Sequence, residues 1–167
     1  MNHQQQILDD KLELAWLAGF IDGDGHISVV VVKRAAFDKF APRISMSNTD
    51  FPTQEIVLSI IDKNNLPHGK THFRNGKVTK NCIKHSNSWE IPAQGIENCS
   101  PWVDLLMPYL RSKSEKAAAM SEFIKLRNLC GDKAHYTKTE LDLARKLITR
   151  NHTKIYQYWE ELYKKHS

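Results

Sequence analysis

The sequence predicts an α+β domain: a four-stranded antiparallel sheet with helices on one face and additional helices at the C-terminal end. Three observations carry this prediction. Four short runs are rich in β-branched residues or alternate with period 2, and they fall in two pairs. Stretches with helical periodicity and N-terminal capping signals separate and follow the pairs, in the order helix, two strands, helix, two strands, helices. With 167 residues, 41% hydrophobic and 26% charged, the chain suits one domain with a real core and not a disordered segment.

The first helix spans about Lys11 to Asp22, and a valine-rich strand follows from about His26 to Arg34. "AAFDKFAP" reads as a connection, and "RISMSN" (43–48) as the second strand. A helix opens near Pro52, where proline suits a first turn, and reaches about Asn64. "NNLPHG" breaks it. Lys70 to Arg74 and about Asn81 to Ile91 are two strands around "NGK", since Asn-Gly tolerates positive φ in a hairpin turn. A third helix spans about Gly95 to Met107. Ser112 and Glu115 form a capping box for a helix ending at Cys130-Gly131. Thr137 and Glu140 form another for a helix to Arg150, and an amphipathic stretch runs from His152 to Lys165. The whole is expected to be one domain, with a core over about 11–130 and a helical extension over about 131–167.

No stretch approaches the roughly 20 apolar residues that span a bilayer, so no membrane partner is expected. The N-terminus lacks the basic-then-apolar pattern of a secretory signal. Cys82, Cys99 and Cys130 fit neither a disulfide framework nor a CxxC metal site, which predicts free thiols in an intracellular, reducing compartment. The formal net charge is +5. Its distribution is more telling. Between Asp62 and Glu90 there is no acid, while Lys63, Lys70, Arg74, Lys77, Lys80 and Lys84 all fall there. Such a stretch is either a solvated loop or the electrostatic footprint of nucleic-acid binding.

Period 2 sorts the strands into faces. Ile44 and Met46 point to the core while Arg43, Ser45 and Ser47 point away. Lys70, His72 and Arg74 share the outer side, opposite Thr71 and Phe73. Ile83, Trp89 and Ile91 point in, leaving Lys84, Ser86, Ser88 and Glu90 outside. A face of Lys, Arg, His, Ser and Glu suits base edges and phosphates in a major groove. In the first strand the run Val29 to Val32 is apolar on both sides, so Val30 and Val32 are either buried or placed against thymine methyls.

"WLAGFIDGDGHISVVVV" (16–32) joins the first helix to the first strand. Leu14, Leu17, Phe20 and Ile21 form a bulky helix face suited to the core. Ala15, Ala18, Gly19 and Gly23 form a small-residue face, which lets another backbone come close. Glycine inside a helix costs up to about 1 kcal/mol relative to alanine, so a compensating contact is expected. Asp22 and Asp24 lie at the C-terminal end of this helix, the unfavourable end of the macrodipole for an acid. Either they serve backbone geometry in a turn, or they bind a divalent cation.

"WLAGFIDGDG" resembles the signature of the LAGLIDADG homing endonucleases, and the resemblance extends through the helix and strand order to about residue 130. It implies the αββαββα homing-endonuclease fold and a site-specific, metal-dependent double-strand DNA endonuclease. One motif copy implies a homodimer on a long pseudo-palindromic site, with the motif helices packed through Ala15, Ala18 and Gly19 beside Asp22. It further implies that Asp24, with Gly23 beside it, holds Mg2+ or Mn2+ next to the scissile phosphates. Asp22 is then a structural acid bonded to backbone near the turn. In "PYLRSKSEKA" (108–117) the basic residue near the active-site solvent is Lys113, with Arg111 and Lys116 as alternatives or a solvated surface lysine as the plain reading. Asn48 stands where small dimeric members carry a glutamine near the attacking water; a hydrogen-bonding amide of structural purpose is an equal reading.

On double-stranded DNA the expected contacts are His26, Ser28, Val30, Val32 and Arg34 from the first strand and Arg43 and Ser45 from the second. Lys70, His72, Arg74, Lys77, Lys80, Lys84, Ser86, Ser88 and Glu90 are those of the second pair. The alternative is a non-catalytic nucleic-acid-binding protein on the same scaffold, a transcription regulator or an intron-splicing maturase, the latter adding intron RNA as a partner. The expected location is a chloroplast or mitochondrion if organelle-encoded, and otherwise the cytoplasm or nucleoid.

Overall fold

The computed structural model describes residues 3–32, 39–76, 86–130, 135–148 and 153–165. Helix α1 (His3–Asp24) passes directly into β1 (Gly25–Val32), which pairs antiparallel with β2 (Lys39–Asn48). Next come α2 (Phe51–Lys63), β3 (His72–Arg74), β4 (Ser88–Gln94) and α3 (Ile96–Leu106). Helices α4 (Ser114–Cys130), α5 (Lys138–Leu147) and α6 (Thr153–Lys164) complete the α+β order. The strands form one antiparallel sheet in the order β1-β2-β4-β3.

Inward side chains Ile27, Val29, Ile44, Met46, Trp89 and Ile91 join Leu14, Leu17, Ile21, Val57, Trp102 and Phe123 of the helices in one buried cluster. The buried Trp89 satisfies its indole by donating to the Asp50 carbonyl at 2.7 Å. Helix α5 adds Leu141, Ala144 and Leu147 to the same core. Thr137 and Glu140 make the expected capping box, and Glu140, fully buried, also accepts from Arg127 of α4 at 3.1 Å. Tyr136 lies under the Arg127 guanidinium, 4.7 Å from its ring centre, and its hydroxyl accepts the Phe40 N–H at 2.7 Å.

Several elements differ from the sequence reading. Helix α1 starts at His3 and not near Lys11, because the Gln-Leu-Asp-Lys stretch holds no glycine or proline to stop it. Strand β2 starts at Lys39, so the end of "AAFDKFAP" is strand and not connection. Pro42 is accommodated because its carbonyl accepts from Gly95 N–H, past the end of β4, where no ladder donor is required of it. Strand β4 runs to Gln94, and Pro92 fits for the same reason, its carbonyl meeting Gly69 N–H beyond β3.

Strand β3 has only three residues, so Lys70 precedes it, and Ser86 likewise precedes β4. Phe73 shares the inward side with its partner Trp89 as expected, but at this sheet edge it stays 64% exposed and stacks on Phe51. Ser112 does not cap α4: its hydroxyl donates to the Asp22 carbonyl, and the helix begins at Ser114. Arg34, Lys77, Lys80, Lys84, Cys82 and Gly131 lie outside the described residues.

Candidate active site and nucleic-acid face

The corner between α1 and β1 is set by its glycines. A Cβ on Gly25 would stand 2.6 Å from the Ile21 Cα and 2.8 Å from the Ile21 carbonyl oxygen. Only glycine lets β1 fold back so tightly on the last turn of α1. A Cβ on Gly19 or Gly23 would meet nothing within 4 Å. These two face open space, and the motif glycines therefore serve two different ends.

Helix α1 is apolar on both sides. Leu14, Leu17 and Ile21 are buried, while Leu8, Leu12 and Trp16 are exposed in line with exposed Ala15, Gly19 and Gly23. An apolar stripe left exposed on a helix whose other apolar face is already buried is a surface suited to a partner. Ala18 corrects the sequence reading. It is fully buried in its own chain, beside this stripe but turned into the core, and has no surface to offer a second copy.

Asp22 is bonded to backbone as expected of a structural acid near the turn, and both of its carboxylate oxygens are used within the chain. Oδ2 accepts from the Arg111 and Ser112 N–H groups at 2.6 and 3.2 Å, and Oδ1 from Lys113 N–H at 2.9 Å. Partial burial pushes its pKa up, but the backbone donors of Arg111, Lys113 and Ser112 outweigh this and leave it below the ordinary carboxylate value. Lys113 stands just before α4, not in its first turn. Its Nζ donates to the Ile21 carbonyl at 2.8 Å and to the Asp22 carbonyl. The cation thus bonds two carbonyls at the negative end of α1, that of Asp22 jointly with the Ser112 hydroxyl. Burial lowers the Lys113 pKa, with Lys116 adding to the effect and Asp22 and Asp24 opposing it.

Asp24 is exposed at the tip. Its Oδ2 accepts from the Asn48 Nδ2 at 2.6 Å. The Asn48 amide cannot turn over freely, since its Oδ1 accepts the Thr49 and Asp50 N–H groups at 2.6 and 2.8 Å. Asp50 in turn caps α2 through Thr53 N–H. The start of α2, through Asn48, therefore aims the Asp24 carboxylate. Among the described residues no three His, Cys, Asp or Glu side chains converge. One chain presents a single open carboxylate here, with Gly23 leaving the approach clear.

The register resolves the first strand. Ile27 and Val29 are buried inward, so His26, Ser28, Val30 and Val32 face outward, opposite Ser45, Arg43, Ala41 and Lys39. Ser45 and Arg43 continue across the sheet to Pro92 and Gln94, Ser47 to Glu90, and Glu90 to His72. Ser28 is on this face but buried, and so is Glu90. Glu90 accepts from Arg43 Nη2 at 2.7 Å and also from Arg74, so it is not the free base-contacting acid expected from the sequence. Lys39 and Gln94 belong to this face as well and were missed. The alternation of Ser88, Glu90, Pro92 and Gln94 was the available signal, hidden by the proline. Ser88 pairs with Arg74 at the far end.

The sequence relationship to a DNA endonuclease at 30% identity, together with this fold and the motif at its helix–strand corner, places the chain in the LAGLIDADG homing endonuclease family. It is similar to the DNA endonuclease I-CvuI of Chlorella vulgaris, 30% identical over 117 residues that make up 70% of this chain and 66% of that protein. The crystal structure of I-CvuI with its DNA target and calcium superposes with a TM-score of 0.68 at 23% identity, covering 95% of this chain and 96% of that one. The homing endonuclease I-TnaI gives 0.63 at 15% identity over 89% and 97% of the two chains. The LAGLIDADG endonuclease I-GzeII, solved with a DNA target, gives 0.64 at 11% identity over 89% of this chain but 49% of its own. No family model matches the sequence.

Proposed function

We propose that this protein is a site-specific double-strand DNA endonuclease that works as a homodimer with Mg2+ (or Mn2+) at the paired Asp24 carboxylates. The carrying observation is the placement of Asp24: an open carboxylate at the exposed tip of α1, where a bare small-residue stripe meets the polar sheet face. A hard divalent cation takes six or more oxygen ligands, so one carboxylate cannot hold it alone. Two copies packed along Ala15, Gly19 and Gly23 would bring two such acids together to hold it, with other oxygen donors supplying the rest of its requirement. The match of this chain to half of the longer I-GzeII supports pairing.

When bound, the metal supplies Lewis acidity and a water acidified enough to attack phosphorus. The protein's own part is geometric and electrostatic. Asn48 fixes the Asp24 rotamer, the outer sheet face seats the duplex, and Lys113 holds a positive charge beside the corner where negative charge develops. The test is Asp24→Asn, assayed by sedimentation, duplex binding and plasmid cleavage with Mg2+ or EDTA. The variant should dimerise and bind like the parent while cleavage is nearly lost. Full cutting by the variant, or by the parent in EDTA, refutes the metal assignment. Duplex binding without cleavage by the parent in any divalent metal returns the protein to the non-catalytic class.

A further inference from the structure

The outward sheet face carries a three-residue ion cluster that spans three strands: Arg43 of β2, Glu90 of β4 and Arg74 of β3. Glu90 has a side chain only 11% exposed, with Oε1 on Arg43 Nη2 at 2.7 Å and Oε2 on Arg74 Nη2. Arg43 is steadied further by donating to Gln94 Oε1 at 3.3 Å. Each guanidinium has five N–H donors, so both keep donors free of these bonds. Arg74 remains 67% exposed and Arg43 25%.

We propose that Glu90 is a specificity-determining positioning residue: it does not touch DNA but fixes two arginines as paired readers of guanine. This rests on the endonuclease reading above. The chemistry favours it over a stability role. A carboxylate shared by two arginines leaves the cluster with one net positive charge, which limits its attraction for phosphate anywhere along the duplex. It also removes side-chain freedom from two long residues before DNA arrives, and a guanidinium held in one plane suits the bidentate pattern of guanine O6 and N7. Sequence-blind binding is restrained while discrimination is favoured.

The sign of the effect of removing the charge is therefore unusual. Glu90→Gln should bind random duplex more tightly, with the dependence of log affinity on log salt steepening by up to about 0.9 as a freed arginine reaches phosphate. Discrimination at two guanine-containing positions of each half-site should fall roughly tenfold. Sites would be selected from a randomised duplex library by the full-length parent and by Glu90→Gln, with circular dichroism confirming the fold. Should Glu90→Gln not fold, Arg74→Ala serves: it should lose guanine preference at one position only and flatten the salt dependence.

Three results overturn the proposal. Unchanged discrimination makes Glu90 structural. A changed preference at a single cytosine makes it a direct base contact. Failure of the parent to select any consensus refutes the DNA-endonuclease reading itself, and the Glu90 proposal with it.

Discussion

Gly25→Ala should destabilise the protein, although the added group is one methyl and φ at this position is not in the left-handed region. The new Cβ would lie 2.6 Å from the Ile21 Cα, whereas carbon atoms rest about 3.5–4.0 Å apart. The obstacle is backbone and has no rotamer to change, so β1 must move about 1 Å from the end of α1. Overpacking of this kind costs about 1–3 kcal/mol. Restricting the unfolded chain returns about 0.4–1 kcal/mol. The net loss of about 1–2 kcal/mol corresponds to a fall in Tm of about 2–8 °C for a chain of this size. Because Asp24 is the adjoining residue, the same shift should lower cleavage about 100-fold. Urea and thermal unfolding at one protein concentration, beside plasmid cleavage, measure both. Gly23→Ala is the contrast for unfolding alone, since within the chain its Cβ meets nothing and helix propensity favours it by up to about 1 kcal/mol. Its cleavage offers no contrast, because Gly23 lies on the stripe proposed to pack against a second copy. A Gly25→Ala protein as stable and active as the parent refutes the steric account of the corner.

Three further predictions follow from the same region. Gly19→Leu should convert a sedimenting dimer to single chains and abolish double-strand cutting; a dimer that cuts normally removes the helix-packing model. Lys113→Met strips the Ile21 and Asp22 carbonyls of their cationic donor, and should cost about 1–2 kcal/mol of stability while slowing cleavage at constant DNA affinity; a parallel loss of affinity reassigns it to phosphate contact. Asp22 has a lowered folded-state pKa, so its stabilisation is complete above about pH 4, the unfolded-state value, and disappears as pH falls through the folded value. Asp22→Asn should therefore unfold more easily near neutral pH, with the gap to the parent closing in acid, and a gap that persists at low pH contradicts this linkage.

The sheet, its strand faces and the helix order were legible because alternation and capping chemistry are local. Ile44 and Met46 alternate with Arg43 and Ser45 whatever the rest of the chain does, and Thr137 and Glu140 cap their helix within one turn. Prolines misled where tertiary context decides. Pro42 and Pro92 read as breaks, but each lies where the neighbouring strand has already ended. Asp24 was legible as an exposed acid from its glycine neighbours. Its partner Asn48 was legible only as an amide at a strand end, because nothing local reveals that its carbonyl is pinned by the turn into α2. Ala18 and Ala15 are both small residues on a short arc of α1, and only packing separates the buried one from the exposed one. Glu90 looked like surface because its burial comes from two arginines on other strands.

The hydroxyl of Tyr136 holds the first turn of β2 across a separation of 96 residues, and the aromatic ring rests against Phe40 and Phe123. During synthesis the sheet is translated long before that tyrosine, at roughly 5–20 residues per second. The β1–β2 end thus leaves the ribosome without its final anchor and waits several seconds for α5, which also brings Glu140 to neutralise the buried Arg127. Contacts of such separation form late, after the loop entropy has been overcome. The β1–β2 end is consequently braced only once residue 136 and α5 have been made, so a nascent chain stalled near residue 130 would hold its motif and Asp24 on a sheet that still lacks this tyrosine and the Glu140 partner of Arg127.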